Sequence, residues 1–159
     1  MPQFLDENET RSFDQRASDL AKRLPEQIRN AKTYATGFKH ALENIEPETI
    51  CEKSDLQKIH VLRKSDLIRL QQANSPFGGF SSSKFKPDFV FQSPGPIYDP
   101  GSTAVDWWNL SRFLNAVGIG QDDRVQNCFS YHLTPAGKMM ESAALALGAS
   151  VVPAGVGNT

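Results

Sequence analysis

Two stretches of this 159-residue chain carry residue types whose chemistry and spacing point to ligand binding. The first is FVFQSPGPIYDP, Phe89 to Pro100. A short apolar strand, Phe89-Val90-Phe91, breaks into a turn rich in proline and glycine, and a helical stretch follows. Strand, glycine-bearing loop and helix is the order in which backbone N–H groups can close around phosphate oxygens. The residues alter such a loop. Pro94 and Pro96 have no N–H to donate, no lysine lies between Ser93 and Pro100, and Asp99 adds negative charge. A rigid proline turn that only connects strand to helix is the competing reading. The second stretch is FSYHLTPAG, Phe129 to Gly137. It follows the C-terminal end of another predicted strand, where ligands collect in open α/β sheets. His132 could donate to a carboxylate there or act as hydrogen-bonded scaffold. Met139 and Met140 open the next helix and are expected in the core.

The elements that would position these stretches fall into a helical part and an α/β part. Apolar residues recur every three or four positions from Phe13 through Leu20, Leu24, Ile28, Ala31, Phe38 and Leu42 to Ile45, which is the helical period. Thr10 or Ser12 could cap this run, and Pro25 predicts two helices or one kinked helix. Gly37 marks a possible second break. Ser54 is expected to cap a short turn through Leu56 and Ile59, and Ser65 a short helix from Asp66 to Gln72. His60 reads as a packed or surface histidine. Asn74–Phe80 is too rich in turn-formers for a regular element, and Ser81–Lys84 reads as a connector.

Beyond Phe89–Phe91 the patterning predicts a helix from about Ala104 to Val117, capped by Thr103 with Asp106 at its third position. A strand from Arg124 to Ser130 follows, with Val125, Cys128 and Phe129 buried. A helix from Ala136 to Leu147 and a strand from Ala149 to Pro153 complete the series. Strand, helix, strand, helix, strand predicts a parallel sheet with right-handed crossovers.

Composition narrows the function classes. Hydrophobic residues make up 39% and charged residues 22%, so a packed core is expected. The formal net charge of −1 gives no bulk electrostatic case for nucleic acid or an anionic membrane. No apolar run approaches the ~20 residues that span a bilayer. The acidic, polar N-terminus lacks the order of a signal peptide. Cys51 and Cys128 fit no metal spacing and read as reduced thiols, which suits a cytoplasmic location.

Four stretches in order resemble the phenylacetate–CoA ligases, of the AMP-forming (adenylate-forming) acyl-CoA synthetase superfamily. Lys64-Ser65-Asp66-Leu67 is similar to that family's K-x-D-L helix start, and Pro76-Phe77-Gly78-Gly79-Phe80 to its PFG-x-F turn. Val125–Leu133 is similar to its V-x-N-x-aromatic-x-Y-x-L strand and loop, and Leu147–Thr159 to its LGA-x-V-x-P…GNT segment. The likeness covers about Leu24 to Thr159.

The resemblance implies a reaction in two steps. A carboxylate attacks the α-phosphate of ATP to give an acyl-adenylate and pyrophosphate, and coenzyme A then displaces AMP. The implied cofactors are ATP, Mg²⁺ and coenzyme A, and the implied substrate is an aryl or other small carboxylic acid. By position, Ser93, Gly95 and Tyr98 occupy the ATP-phosphate loop, where the family has a pattern like S-G-T-T-G-K-P. Phe129, Tyr131, His132, Thr134, Ala136 and Gly137 fall on the aromatic loop that helps wall the acyl pocket. Thr134 is smaller than the aromatic residue usual there, which points to a different or roomier acyl group. Asn158 and Thr159 are expected to cap the family's next helix.

The expected class is α/β: an N-terminal helical segment, then an incomplete, mostly parallel β-α-β-α-β sheet, part of the large N-terminal domain of an adenylate-forming ligase. The expected organisation is a lead-in over 1–9, a helical segment over 10–80, and the start of the ATP/acyl-binding domain over 81–159. The chain is expected to be an inactive fragment. Its sheet would be completed by the rest of the ligase or another chain, with a homodimer possible. The family's C-terminal lysine of adenylation lies outside it, so no catalytic residue is assigned. The alternative is a non-catalytic relative acting as a binding or regulatory module, suggested by the altered loop. A third reading is an unrelated small α/β domain that pairs through its open sheet edge.

Overall fold

The computed structural model describes residues 4–157. Contacts divide the chain into two compact units: Arg11–Lys86, and the residues up to Thr10 together with those from Pro87 on.

The first unit is helical. Helix α1 (Phe13–Tyr34) starts at a capping box. Ser12 Oγ accepts from the Gln15 amide at 3.2 Å, and Gln15 Oε1 accepts from the Ser12 amide at 2.8 Å. Of the two arrangements expected at Pro25, the structure has the single helix, which runs through the proline. Its apolar stripe stays in phase across the proline, and Pro25 and Ile28 are both buried. Packing therefore offsets the hydrogen bond that proline forfeits.

Helix α2 (Thr36–Lys39) follows a break at Ala35, whose backbone is extended. Gly37 lies inside α2, where the sequence suggested an interruption. Its amide donates to the Gly79 carbonyl at 2.9 Å, and a Cβ there would stand 2.7 Å from the Gly78 carbonyl oxygen. The Pro76–Phe80 turn thus lies directly on α2, with Phe80 edge-on to Phe38 at 4.9 Å. Gly78 and Gly79 have φ of 65° and 79°, which favours glycine at both.

Two 3₁₀ turns, Pro47–Thr49 and Lys53–Lys58, precede helix α3 (Lys64–Ala73). The second turn is held by Asp55, whose carboxylate accepts from Lys58 and from the Cys51 and Glu52 amides. Those bonds, the lysine's first, pull its pKa down to about 2. Ser65 lies within α3 rather than at its cap, which is Arg63. Ile28, Leu42 and Ile50 form the core of this unit, joined by Leu24, Ala31, Phe38, Ile45 and Ile59. His60 is exposed.

The second unit holds both candidate stretches. Strand β1 (Phe89–Ser93) pairs antiparallel with β2 (Ile97–Gly101), with Phe91 opposite Asp99 and Ser93 opposite Ile97. The chain expected to be an open loop is therefore a hairpin, and β1 does not join the parallel pair. Phe91 and Ile97 bury their side chains. The Phe91 ring lies against Gly101, where a Cβ would collide with it. The expected helix from Ala104 shortens to α4 (Ser111–Ala116). Thr103 instead donates, through its amide and hydroxyl, to Asp88. Asp106 caps α4, accepting from the Leu110 amide at 2.9 Å and the Ser111 amide at 3.1 Å. Arg112 on α4 pairs with Asp6 and holds the lead-in segment to this unit.

Strand β3 (Arg124–Gln126) pairs in parallel with β4 (Ser150–Val152), joined by α5 (Ala136–Ala146). This is the predicted crossover unit. β3 stops well short of Ser130, and Phe129 is 53% exposed where burial was expected. Ala143 and Ala144 of α5 are fully buried beside Leu114 and Ala149, with Met140, Val125 and Val151 against them. Val117, just past the end of α4, is exposed. No helix among the described residues is long and apolar enough to cross a membrane.

Replacing Gly37 with alanine drives a methyl group into a backbone carbonyl. Gly37→Ala is expected to destabilise the chain by about 1–3 kcal/mol, read as a lower urea midpoint at unchanged slope.

Candidate functional site

Asn127 organises the candidate site. β3 ends one residue before it, and the chain must turn there to reach α5. The Asn127 amide still donates to the Val152 carbonyl at 2.9 Å, and its own carbonyl accepts from the Gly155 amide at 3.0 Å. Its side chain, 3% exposed, uses both ends. Nδ2 donates to Tyr131 Oη and to the Gly137 carbonyl, both at 2.8 Å, while Oδ1 accepts from the Phe129 amide at 3.1 Å. One buried amide thus ties β3, the aromatic loop, the first turn of α5 and the segment after β4. A buried polar group is tolerated when its partners are complete, as they are here.

The aromatic loop is closed at both ends. The Gly137 amide donates to the Ser130 carbonyl at 2.9 Å, and a Cβ on Gly137 would stand 2.7 Å from that oxygen and 2.9 Å from the Tyr131 ring. Gly137 and Tyr131 are therefore held as scaffold. Phe129 and His132 are exposed, Thr134 is half-buried, and Ala136 opens α5. Phe129 lines an open cleft of about 270 Å³ with Val125, Gln126, Asn127, Cys128 and Met140. Met140 serves core and cleft together.

The hairpin and the aromatic loop meet. The Gln92 amide donates to the Leu133 carbonyl at 2.8 Å, with Leu133 in the left-handed region at φ 57°. The two candidate stretches, 40 residues apart in sequence, are thereby joined by a backbone hydrogen bond. Within the hairpin, Ser93 Oγ donates to the Ile97 carbonyl at 3.3 Å, Gly95 has φ 119°, and Tyr98 sits half-buried opposite Gln92. Between Ser93 and Ile97 the turn offers one backbone N–H, that of Gly95, because Pro94 and Pro96 have none. A triphosphate needs several converging donors or cations. This turn does not supply them, and the hydroxyl of Ser93 already faces its own hairpin. Among the described residues no group of His, Cys, Asp or Glu side chains is placed to hold a metal ion.

Electrostatics mark Tyr131. Burial and the neighbouring Glu141 carboxylate disfavour its ionised form and push its pKa up to about 12, against 10.0 in the open, while the bond from Asn127 opposes the shift. Glu141 also pairs with Lys138 at 2.6 Å, whose ammonium lies 5.9 Å from the Tyr131 ring. The asparagine, the Gln92–Leu133 bond and Glu141 escaped the sequence reading as site residues. Asn127 stood in a quoted motif, directly after a strand, and that position was the signal available.

Two outcomes follow from this geometry. Asn127→Ala removes three side-chain hydrogen bonds, to Tyr131 Oη, the Gly137 carbonyl and the Phe129 amide, and is expected to cost ~3 kcal/mol in chemical denaturation. The raised Tyr131 pKa means that its stabilising contribution is complete below pH 10 and fades as pH rises through about 12. Glu141→Gln should move the tyrosinate absorbance step to lower pH.

No family model matches the chain. It is 28% identical over 164 residues to the phenylacetate-coenzyme A ligase of Escherichia coli (strain K12), an alignment covering 98% of this chain and 37% of that protein. Its fold matches crystal structures of 2-hydroxyisobutyryl-CoA ligase. One, in the postadenylation state with 2-HIB-AMP, aligns at a TM-score of 0.82 and 21% identity over 91% of this chain and 32% of the other. A second, an open conformation with 2-HIB-AMP and CoA, aligns at 0.82 and 22% over 93% and 36%. The chain thus spans about a third of the length of these relatives. Asn158 and Thr159, the expected caps, lie outside the described residues. The likeness first visible in four short motifs extends to sequence and fold: the chain is similar in sequence to a phenylacetate-coenzyme A ligase, and its fold matches the N-terminal part of the adenylate-forming ligase fold.

Proposed function

We propose that the chain is the N-terminal portion of an AMP-forming carboxylate–CoA ligase, which activates an aryl or other small carboxylic acid with ATP and passes it to coenzyme A. The observation that carries this reading is the alignment of nearly the whole chain with a phenylacetate-coenzyme A ligase. The share of the acid site contributed here is the aromatic loop: Phe129 and His132 on its open side, with Thr134 at its far end. Asn127, Tyr131 and Gly137 hold that loop in place. An aryl or aliphatic acid lying along Phe129 would gain from apolar burial, and the His132 ring could donate to its carboxylate. Residues outside the Ser93–Ile97 turn must hold the phosphates and Mg²⁺.

A second reading is a relative that binds without catalysing. It is favoured by the hairpin, which closes on itself through Ser93 and Ile97 and carries two prolines where donors are needed.

A chimera separates the two. The aligned N-terminal part of the Escherichia coli relative is replaced by this chain, and pyrophosphate release is followed with ATP, Mg²⁺, coenzyme A and a panel of aryl and small aliphatic acids. Acid-dependent release is expected, with Phe129→Ala raising KM for the acid at least tenfold. A folded, monodisperse chimera that releases no pyrophosphate with any acid supports the second reading.

A further inference from the structure

The net charge of −1 hides a strong polarity between the two units. Residues 11–86 hold fourteen Lys and Arg against nine Asp and Glu, a net of +5. The remaining residues hold three against nine, a net of −6. Opposite net charges of this size attract over a distance set by salt, about 30 Å at 0.01 M and about 8 Å at 0.15 M.

Each unit also carries a mixed patch of apolar and charged surface. On the basic unit, Phe13 is 81% exposed and lines an open groove of about 520 Å³ with Arg16, Leu20, Cys51 and Lys53. Glu52 is the acid on that groove, and its carboxylate accepts from the Ser54 hydroxyl. On the acidic unit, α4 leaves Phe113 and Val117 more than half exposed, and the chain then runs straight into the exposed pair Asp122-Asp123. Apolar area beside complementary charge is the composition of a reversible protein contact.

We propose that the chain associates with a second copy of itself. The Phe13–Arg16–Lys53 groove of the basic unit receives the Val117 to Asp123 segment of the other copy's acidic unit. The contact forms at low ionic strength and dissolves as salt shortens the reach of the charges. It does not depend on the ligase reading.

Sedimentation velocity of the 159-residue chain at ~100 μM, in about 20 mM and about 500 mM NaCl, tests it. A dimer at low salt that becomes monomer at high salt is expected. The double variant Arg16→Glu/Lys53→Glu should be monomeric at low salt, as should Asp122→Lys/Asp123→Lys. Mixing the two should restore the dimer, which also shows that both variants fold. A chain monomeric at both salt concentrations overturns the proposal. So does a dimer insensitive to salt or to either reversal, or a monomer whose basic unit instead retains a polyanion such as heparin.

Discussion

A single buried carboxamide carries the geometry of the candidate site. Once β3 ends, the chain has nine residues in which to turn back into α5, and none of them lies in a strand or helix. Backbone groups leaving regular structure need partners, and water is scarce around Asn127, which is 3% exposed. Asparagine fits because it offers donors and an acceptor on a short side chain. Asn127 spends its donors on Tyr131 and Gly137 and its acceptor on Phe129, while its backbone reaches Val152 and Gly155. Aspartate would lose the donors, and glutamine would place the amide one methylene too far. The exposed positions of Phe129 and His132 follow from that fixed frame.

The second constraint is negative. The stretch that the family resemblance assigns to ATP phosphates is an antiparallel hairpin with proline at two of three turn positions. Proline suits a hairpin edge, where no N–H is needed, and Pro100 opposite Val90 is likewise tolerated there. The same property unsuits the turn for gripping oxygens. The hairpin is joined to the aromatic loop through Gln92 and Leu133, so its shape and the loop's shape are set together.

Much of this was legible in the residues. The three-to-four spacing through Ile45 marked the helical unit, and its start was narrowed to Thr10 or Ser12, of which the structure uses Ser12. Gly148 and Ala149–Pro153 fixed the end of α5 and the place of β4 closely, because helix stop and apolar run coincide there. The hairpin was hidden because Ile97–Gly101 holds proline, aspartate and glycine, a composition that usually breaks strands. Burial of Ile97 and the fit of Phe91 over Gly101 overrode that propensity. The short α4 was hidden for a related reason: Asp106, in a left-handed conformation at φ 49°, delays the helix until Ser111. The Gln92–Leu133 bond depends on a leucine at positive φ, which no local pattern announces.

The role of Asn127 is tested most directly by amide hydrogen exchange on the unaltered chain. If the carboxamide holds the loop as described, the amides of Gln92, Asn127, Phe129, Gly137 and Gly155 are protected and open together with the β3–β4 pair. If Phe129, Gly137 and Gly155 exchange at the rate of an open loop while Val125 and Val151 stay protected, the loop is not held by Asn127 and the account of the site fails.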